Sequence, residues 1–115
     1  NKGKLKAVQI VNPKGKAVTP SLEAVMAGEY EPLARPIFIY VSAKSMDRPE
    51  IKEFVEFYLK HGAKLAKEVK YVPLGAADYK HALDNFSKKK TGTGFGGEAE
   101  VGVKVADLLK RNPKE

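Results

Sequence analysis

Cysteine is absent from this 115-residue sequence, and so is tryptophan. Without cysteine the chain can form no disulfide, and a metal site built on thiolates is excluded. The sequence also lacks any apolar run near the roughly 18 residues that a membrane-spanning helix needs. What is present, 43% hydrophobic and 30% charged residues, is the mixture of an ordinary globular domain and not that of a disordered chain. The length is enough for one domain.

Arginine is scarce, although the chain is basic. The net charge is +7, yet only three of the 21 basic residues are arginine, namely Arg35, Arg48 and Arg111. Arginine is suited to bidentate recognition of phosphates and bases, whereas lysines spread along helix faces are typical of a solvated surface. We therefore interpret the charge as surface charge. The alternative, a small basic nucleic-acid-binding domain, rests on net charge alone.

The chain is also poor in residues that carry out catalysis. His61 and His81 are the only histidines, and neither has the spacing of a metal site or a catalytic triad. Glu53 and Glu56 lie three residues apart on the predicted outer face of a helix, which favours solvated carboxylates over an acid–base pair. The sequence therefore predicts a protein that is not an enzyme, with no catalytic residue, no metal site and no cofactor.

Two segments have the pattern of strands. Residues 5–11 alternate charged and apolar side chains before becoming fully apolar, and residues 37–42 (IFIYVS) are a continuous run of β-forming residues. Such a continuous run is typical of a parallel sheet that is covered on both faces. Helices are predicted over residues 19–28, 47–62, 63–69, 76–90 and 103–111, with a turn at residues 12–15. This order indicates the α/β class with a mostly parallel sheet, but two strands are too few for a self-sufficient sheet.

Local signals predict where these helices end and which side chains face a core. Thr19 is expected to cap the first helix, and Asp47 with Glu50 has the spacing of a capping box at the next one. Gly28 and Gly62 are natural C-terminal stops. The apolar and aromatic residues expected in the core are Ile51, Phe54, Val55, Phe57, Tyr58, Leu59, Tyr79, Leu83 and Phe86.

The stretch KKKTGTGFGGEAE, residues 88–100, raises the question of a phosphate-binding loop. Four glycines fall within residues 92–97, and three lysines precede them. A P-loop needs lysine and a hydroxyl after its last glycine, and a dinucleotide fingerprint leaves a strand and opens a helix. Here the lysines come first, glutamates follow, and the glycines leave a helix. We therefore predict a helix stop and a flexible connection, with a phosphate-handling enzyme as the remaining alternative.

Three stretches together resemble a known family. They are VTPSLEAVMAGEYEPLARPIFIYV, RPEIKEFVEFYLKHGAKLAKEVKYVPL and ADYKHALDNFSKKKTGTGF. They are similar to the C-terminal third of the periplasmic phosphate-binding proteins of high-affinity phosphate ABC transporters, over about residues 5–95. Two positions depart from the family pattern. Lys70 stands where the family usually has glycine before YVPL, and Gly75 stands where it often has proline.

The resemblance implies part of a two-lobed α/β fold, the C-terminal third with an incomplete sheet. Residues 1–31 would belong to the second lobe, residues 32–36 to a hinge crossover, and residues 37–115 to the return to the first lobe with the C-terminal helices. Since residue 1 is asparagine, we expect a start at a cleavage site or at a cut in a longer chain, with the missing strands before it.

The resemblance also implies a ligand and partners. The family binds inorganic phosphate with helix N-termini, Ser and Thr hydroxyls, one arginine and one aspartate. Those motifs match no position here, and Arg35 aligns with the hinge, so no phosphate-binding residue is assigned to this chain. The expected partners are phosphate in the complete protein, the membrane permease of the transporter and the remaining N-terminal part of the same protein, with no nucleic acid. The expected location is periplasmic or cell-envelope.

Overall fold

The computed structural model describes residues 3–98 and 100–111, which form a small, mainly helical unit with one two-stranded sheet. Its elements in chain order are β1 (Ile10–Val11), β2 (Ala17–Val18), α1 (Leu22–Met26), a 3₁₀ turn (Ala43–Ser45), α2 (Pro49–Glu68), α3 (Ala76–Ser87) and α4 (Val105–Lys110). Helices combined with a short sheet are compatible with part of an α/β domain. The sequence predicts these helices in this order, apart from the details below.

The hairpin β1–β2 is organised around Asn12, a buried polar residue that follows β1. The strands pair antiparallel, with Ile10 opposite Val18. The Asn12 carboxamide oxygen accepts the amides of Lys14 and Lys16, each at 3.0 Å, and its carboxamide nitrogen donates to the Glu29 carbonyl at 3.4 Å. A buried amide is tolerated when its hydrogen bonds are made. Asn12 therefore closes the predicted turn and ties the hairpin to the chain beyond α1.

The N-cap of helix α1 lies two residues after the predicted cap, Thr19. Ser21 is the N-cap, and its hydroxyl accepts the amide of Ala24 at 3.1 Å. Thr19 is not the cap, because its hydroxyl accepts a hydrogen bond from the Gln9 side chain at 2.9 Å. The predicted stop at Gly28 is confirmed, since Gly28 has a φ of +72° and follows the last turn.

The start of helix α2 differs from the predicted capping box. Its N-cap is Arg48, which makes no side-chain cap bond, and Pro49 takes the first helical position. The Arg48 side chain donates from Nε to the Glu50 carboxylate at 2.8 Å. The Glu50 backbone and Arg48 together lower the pKa of Glu50. Asp47 forms an ion pair with Lys89 instead of capping the helix.

The predicted stop of α2 at Gly62 is wrong, because the helix continues to Glu68. The residues that follow Gly62 include the strong helix formers Ala63, Leu65 and Ala66, which extend the helix. Gly62 has a packing role instead. A Cβ atom at this position would lie 2.8 Å from Cε1 of Tyr79, so glycine lets the Tyr79 ring of α3 lie against the α2 backbone.

Helix α2 ends at a residue in the left-handed conformation. Lys70 has a φ of +65°, and the amide of Tyr71 donates to the carbonyl of Ala66 at 2.8 Å. This is the helix stop in which glycine is normally preferred, because a Cβ atom disfavours positive φ. The Cβ atom of Lys70 therefore makes this conformation less stable than it would be with glycine.

The helices α2, α3 and α4 pack against one another in sequence order. Val55 of α2 and Leu108 of α4 are buried, and the Asn85 carboxamide of α3 donates to the Leu109 carbonyl at 3.4 Å. None of the described helices has both the length and the apolar character to cross a membrane.

The predicted strands and the parallel sheet are mostly not formed within the described residues. Of residues 5–11, only Ile10–Val11 belong to a strand, and residues 37–42 contain no strand. The one sheet is antiparallel. A strand needs a neighbour for its backbone hydrogen bonds, and the described part of the chain offers residues 37–42 none.

The chain exposes much more surface than a compact protein of its mass. Its accessible surface is 9046 Å², whereas a folded 12.6 kDa protein exposes about 6,200 Å². Its radius of gyration is 16.3 Å, against about 13 Å for a compact domain of this length. The predicted core positions Phe54 and Phe57 are 62% and 56% exposed, so their expected burial is wrong for this chain. Core packing alone does not cover its apolar side chains.

Candidate functional site

The glycine-rich loop, residues 91–97, uses several of its own amides internally. The amide of Phe95 donates to the Thr93 hydroxyl at 3.2 Å, the amide of Gly96 to the Thr93 carbonyl at 3.4 Å, and the amide of Glu98 to the Phe95 carbonyl at 3.2 Å. A phosphate cradle needs successive amides that point outward at the ligand. The loop folds into turns around Thr93, and these amides are therefore not directed at an anion.

The same loop has a close packing role at Gly94. A Cβ atom there would lie 2.8 Å from Cδ1 of Leu108 and 3.3 Å from its carbonyl oxygen. The next residue, Phe95, packs its ring edge-to-face on Phe38, with ring centroids 5.7 Å apart. The loop therefore joins α4 to the extended residues after Pro36. The loop makes packing contacts at Gly94 and Phe95 that the sequence does not predict, and its predicted flexibility stays a prediction.

Arg111 fastens this loop from the end of α4, and the sequence gives no signal for that role. Its guanidinium donates to both carboxylate oxygens of Glu100, at 2.8 and 2.9 Å, and to the Gly94 carbonyl at 3.3 Å. The hydrogen bonds from Arg111 hold the pKa of Glu100 below its ordinary value, and the same bonds raise the pKa of Arg111. The Arg111 guanidinium therefore pairs with a carboxylate of its own chain and stabilises the fold.

The lysines before the loop form a helix end, as the sequence predicts, although no glycine makes the stop. Helix α3 ends at Ser87, and Lys89 takes the left-handed conformation with a φ of +51°. The amide of Lys90 donates to the Asn85 carbonyl at 3.1 Å. The side chain of Lys89 forms an ion pair with Asp47. These lysines are exposed and lie beside the negative end of a helix.

Arg35, the arginine of the predicted hinge crossover, turns back on its own segment. Its Nη1 donates to the Pro32 carbonyl and to the Ala34 carbonyl, the second at 2.9 Å. The Arg35 side chain is exposed, and the acceptors of both hydrogen bonds are backbone oxygens. It is not part of an anion-binding group in this structure.

The histidines and paired glutamates do not form a catalytic group. His61 is exposed and lies over the ring of Phe57 at 4.4 Å, and His81 is exposed on α3. Glu56 pairs with Lys60 at 3.4 Å, while Glu53 is exposed. Within residues 3–98 and 100–111, no three His, Asp or Glu side chains come together as a metal-binding group.

The lysines of the described residues behave as a solvated surface. Five of them, all with largely exposed side chains, form ion pairs with acidic residues: Lys16–Glu29, Lys60–Glu56, Lys64–Glu68, Lys89–Asp47 and Lys110–Asp107. A cavity of about 340 Å³ between the hairpin and α1 is lined by Lys16 but also by Glu23 and Glu29. Two carboxylates beside one lysine make this groove a poor site for phosphate.

The chain is similar to known proteins that are longer than it is. Protein SphX of Synechococcus elongatus is 51% identical over 110 residues, which are 96% of this chain and 33% of that protein. Protein SphX of Synechocystis sp. is 44% identical over 108 residues, 93% of this chain and 32% of that protein. The phosphate-binding protein PstS of Staphylococcus aureus is 40% identical over 86 residues, 74% of this chain and 26% of that protein.

These similarities make the chain a homologue of SphX and PstS, and it spans a third or less of their length. No protein-family model matches the chain. No solved structure matches it either.

Proposed function

We propose that this chain is the C-terminal portion of a phosphate-binding protein that serves a phosphate ABC transporter. The observation that carries the proposal is the 40% identity over 86 residues to a protein named for phosphate binding. The family resemblance found in the sequence covers the same chain from about residue 5 to residue 95. The relatives are named as a binding protein or simply as a protein, so the proposed role is binding and not catalysis.

In this proposal the groups that hold phosphate lie outside the chain. In the glycine-rich loop the amides of Phe95 and Gly96 are used in turns around Thr93. Arg111 is held by Glu100, and Arg35 donates to backbone oxygens. These are the basic and amide groups that would be the first choice for an anion site. Their internal use supports the absence of a phosphate-binding residue among them.

The proposed fold is the two-lobed one of periplasmic binding proteins. Residues 1–31 are assigned to the second lobe, residues 32–36 to a hinge crossover, and residues 37–115 to the first lobe. The large exposed surface supports this assignment, because a chain taken from a larger fold leaves its contact surfaces open. The proposed partners are inorganic phosphate, the membrane permease and the remaining part of the same protein, and the proposed location is the periplasm or cell envelope.

Calorimetric titration of the isolated chain with inorganic phosphate tests where the ligand groups lie. We expect no heat of binding at phosphate concentrations up to the millimolar range. Binding at micromolar or lower Kd would contradict the proposal, because it would place a complete site within these residues. Sulfate, titrated in parallel, separates specific binding from general attraction of anions to a basic chain.

The nucleic-acid alternative has no support beyond net charge. Five of the described lysines pair with carboxylates, and the SphX and PstS relatives reported above are not named for nucleic-acid binding. A gel shift with DNA and RNA at low salt checks this point. Electrostatic binding to nucleic-acid phosphates is strongest at low salt, so a nucleic-acid-binding protein would be retained there. We expect no retained complex.

A further inference from the structure

The hairpin with α1 forms one part of the chain, and helices α2, α3 and α4 form another. Within the first part, the Asn12 carboxamide donates to the Glu29 carbonyl, and Lys16 pairs with the Glu29 carboxylate at 3.1 Å. The three helices of the second part pack in sequence order, whereas the hairpin and α1 pack less closely on them. Contacts made by the connecting segments are therefore important for holding the two parts together.

The segment just before α4 contacts the segment just after α1 at two places. A Cβ atom at Gly102 would lie 2.6 Å from Oε1 and 2.7 Å from Cδ of Glu31, so the Glu31 carboxylate lies directly against the Gly102 backbone. The side-chain stem of Lys104, the N-cap of α4, covers Gly28, where a Cβ atom would lie 3.2 Å from Cε of Lys104. We call residues 102–104 the latch, because they join the end of the first part to the second.

The latch lies beside residues 32–36, the predicted hinge crossover, which begin directly after Glu31. This crossover is itself folded into a turn. The amide of Ala34 donates to the Tyr30 carbonyl at 3.0 Å, and the Arg35 guanidinium donates to the Ala34 carbonyl at 2.9 Å. A contact on Glu31 therefore restricts the direction in which the chain enters this turn, and with it the placement of the hairpin and α1.

The latch contacts lie at the surface. Gly102 and Lys104 are exposed, and Gly28 and Glu31 are half-buried. Segments with few buried apolar contacts open at a low free-energy cost, and the elements that move in proteins are drawn from such segments. The latch can therefore be released while the hairpin and the helices stay folded.

We propose that residues 102–104 are a releasable latch that limits the movement of the hairpin and α1 relative to helices α2, α3 and α4. This inference rests on the proposed function, in which residues 1–31 and residues 37–115 belong to different lobes. In that fold the latch restrains the motion of the lobes. A ligand held between two lobes shifts their equilibrium toward the arrangement that it binds, so the latch also contributes to phosphate affinity without touching phosphate.

The distance between two spin labels, measured by pulsed electron paramagnetic resonance, tests the latch in this chain. Because the chain has no cysteine, Lys14→Cys and Lys80→Cys place one label on the hairpin turn and one on α3, both at exposed positions. In this labelled parent, Gly102→Ala drives a Cβ atom into the Glu31 carboxylate. Gly97→Ala is the matched control, because its φ of +87° is similar to the +77° of Gly102 but its Cβ atom would meet nothing within 4 Å. We expect Gly102→Ala to widen the distance distribution at least about twofold, and Gly97→Ala to leave it unchanged.

Equal distributions for Gly102→Ala and Gly97→Ala would overturn the proposal, and so would a labelled parent whose distribution is already as wide as that of Gly102→Ala. If circular dichroism shows that Gly102→Ala unfolds, a second pair decides. Lys104→Ala removes the stem that covers Gly28, and Lys67→Ala removes an exposed lysine of α2. We expect only Lys104→Ala to widen the distribution, and equal results for the two would overturn the proposal. The labels report movement without phosphate, so failure of this test is separate from failure of the proposed function.

Discussion

Helix α2 and residues 37–41 are both rich in apolar side chains, but only the helix is satisfied within this chain. Helix α2 forms its backbone hydrogen bonds internally and buries Val55 between its neighbours. Residues 37–41 form no such bonds and leave Tyr40 91% exposed. A helix pairs its backbone with residues four positions away, whereas a strand depends on a neighbour that can lie far off in sequence. The contrast separates what this chain does alone from what needs a partner.

The largest expected effect comes from placing one charge in each region. Val55→Asp puts a carboxylate where the side chain is 3% exposed, and we expect it to destabilise the isolated chain by more than about 3 kcal/mol. Ile39→Asp, in the exposed segment, should change the free energy of unfolding by no more than about 0.5 kcal/mol. Urea denaturation followed by far-ultraviolet circular dichroism measures both.

The same two substitutions can be compared in a chimera in which the matched 110 residues of this chain replace their counterparts in Synechococcus elongatus SphX. There Ile39→Asp should become as damaging as Val55→Asp, because both residues would be buried. If Ile39→Asp were severely destabilising in the isolated chain, residues 37–41 would already be packed, and the distinction between the two regions would fail.

The next effect concerns the glycine-rich loop, which packs on Leu108 through Gly94 and on Phe38 through Phe95. Gly94→Ala places a Cβ atom 2.8 Å from Leu108, and we expect this overpacking to cost about 1–3 kcal/mol. Gly75→Ala is the matched control, because its Cβ atom would meet only the flexible Asp78 carboxylate at 3.3 Å and should cost about 0.5 kcal/mol or less. Thermal denaturation ranks the two variants, and equal losses of stability would show that Gly94 has no special packing role.

A smaller effect, of opposite sign, is expected at the end of α2. Lys70→Gly relieves a positive φ of +65° and should stabilise the chain by about 1 kcal/mol. Lys70→Ala removes the same charge but keeps a Cβ atom, so it should give no gain. Urea denaturation compares the three proteins. A similar gain from alanine would mean that the lysine charge, and not the backbone conformation, sets the cost.

The smallest expected effect is a pH dependence of the loop. Hydrogen bonds from Arg111 lower the pKa of Glu100 in the folded chain below its unfolded value of about 4.3. Glu100 therefore stabilises the folded loop above that value, and the contribution is lost as the pH falls through the folded pKa. The aromatic NMR signals of Phe95 should shift below about pH 4 in the wild type. In Glu100→Gln they should already have their low-pH positions at pH 7, and unchanged wild-type signals down to pH 3 would contradict the role of this pair.

Sequence reasoning succeeded where the cause of a structure is local. The helices α2 and α3, the turn at Asn12 and the stop at Gly28 follow from periodicity, capping and glycine, which act over a few residues. It failed at Gly62, because a tertiary contact with Tyr79 explains that glycine better than a helix stop does. The link from Arg111 to Glu100 and Gly94 joins residues 11 and 17 positions apart, and no sequence pattern announces it.

The strand pattern of residues 37–41 is a different case. The sequence predicts a buried strand, whereas in the described chain these residues belong to no helix or strand, and Ile37 to Tyr40 are exposed. The β-forming side chains indicate the environment of a sheet. The structure contains this chain alone, without a neighbouring strand for the segment. Among the described residues, this β-forming segment has no neighbouring strand, and the expected parallel sheet is not formed there. For the candidate site, the sequence predicts that the glycine-rich loop is not a phosphate cradle, and this stays a prediction. It does not predict the packing of the loop on Leu108 and Phe38.

The most direct test is calorimetric titration of inorganic phosphate into a chimera in which the matched 86 residues of this chain replace their counterparts in Staphylococcus aureus PstS. Unaltered PstS and the isolated chain are titrated under the same conditions. We expect the chimera to bind phosphate with an affinity within about tenfold of PstS, a difference of about 1.4 kcal/mol, and the isolated chain to bind none. A folded chimera that does not bind phosphate, or an isolated chain that does, would contradict it.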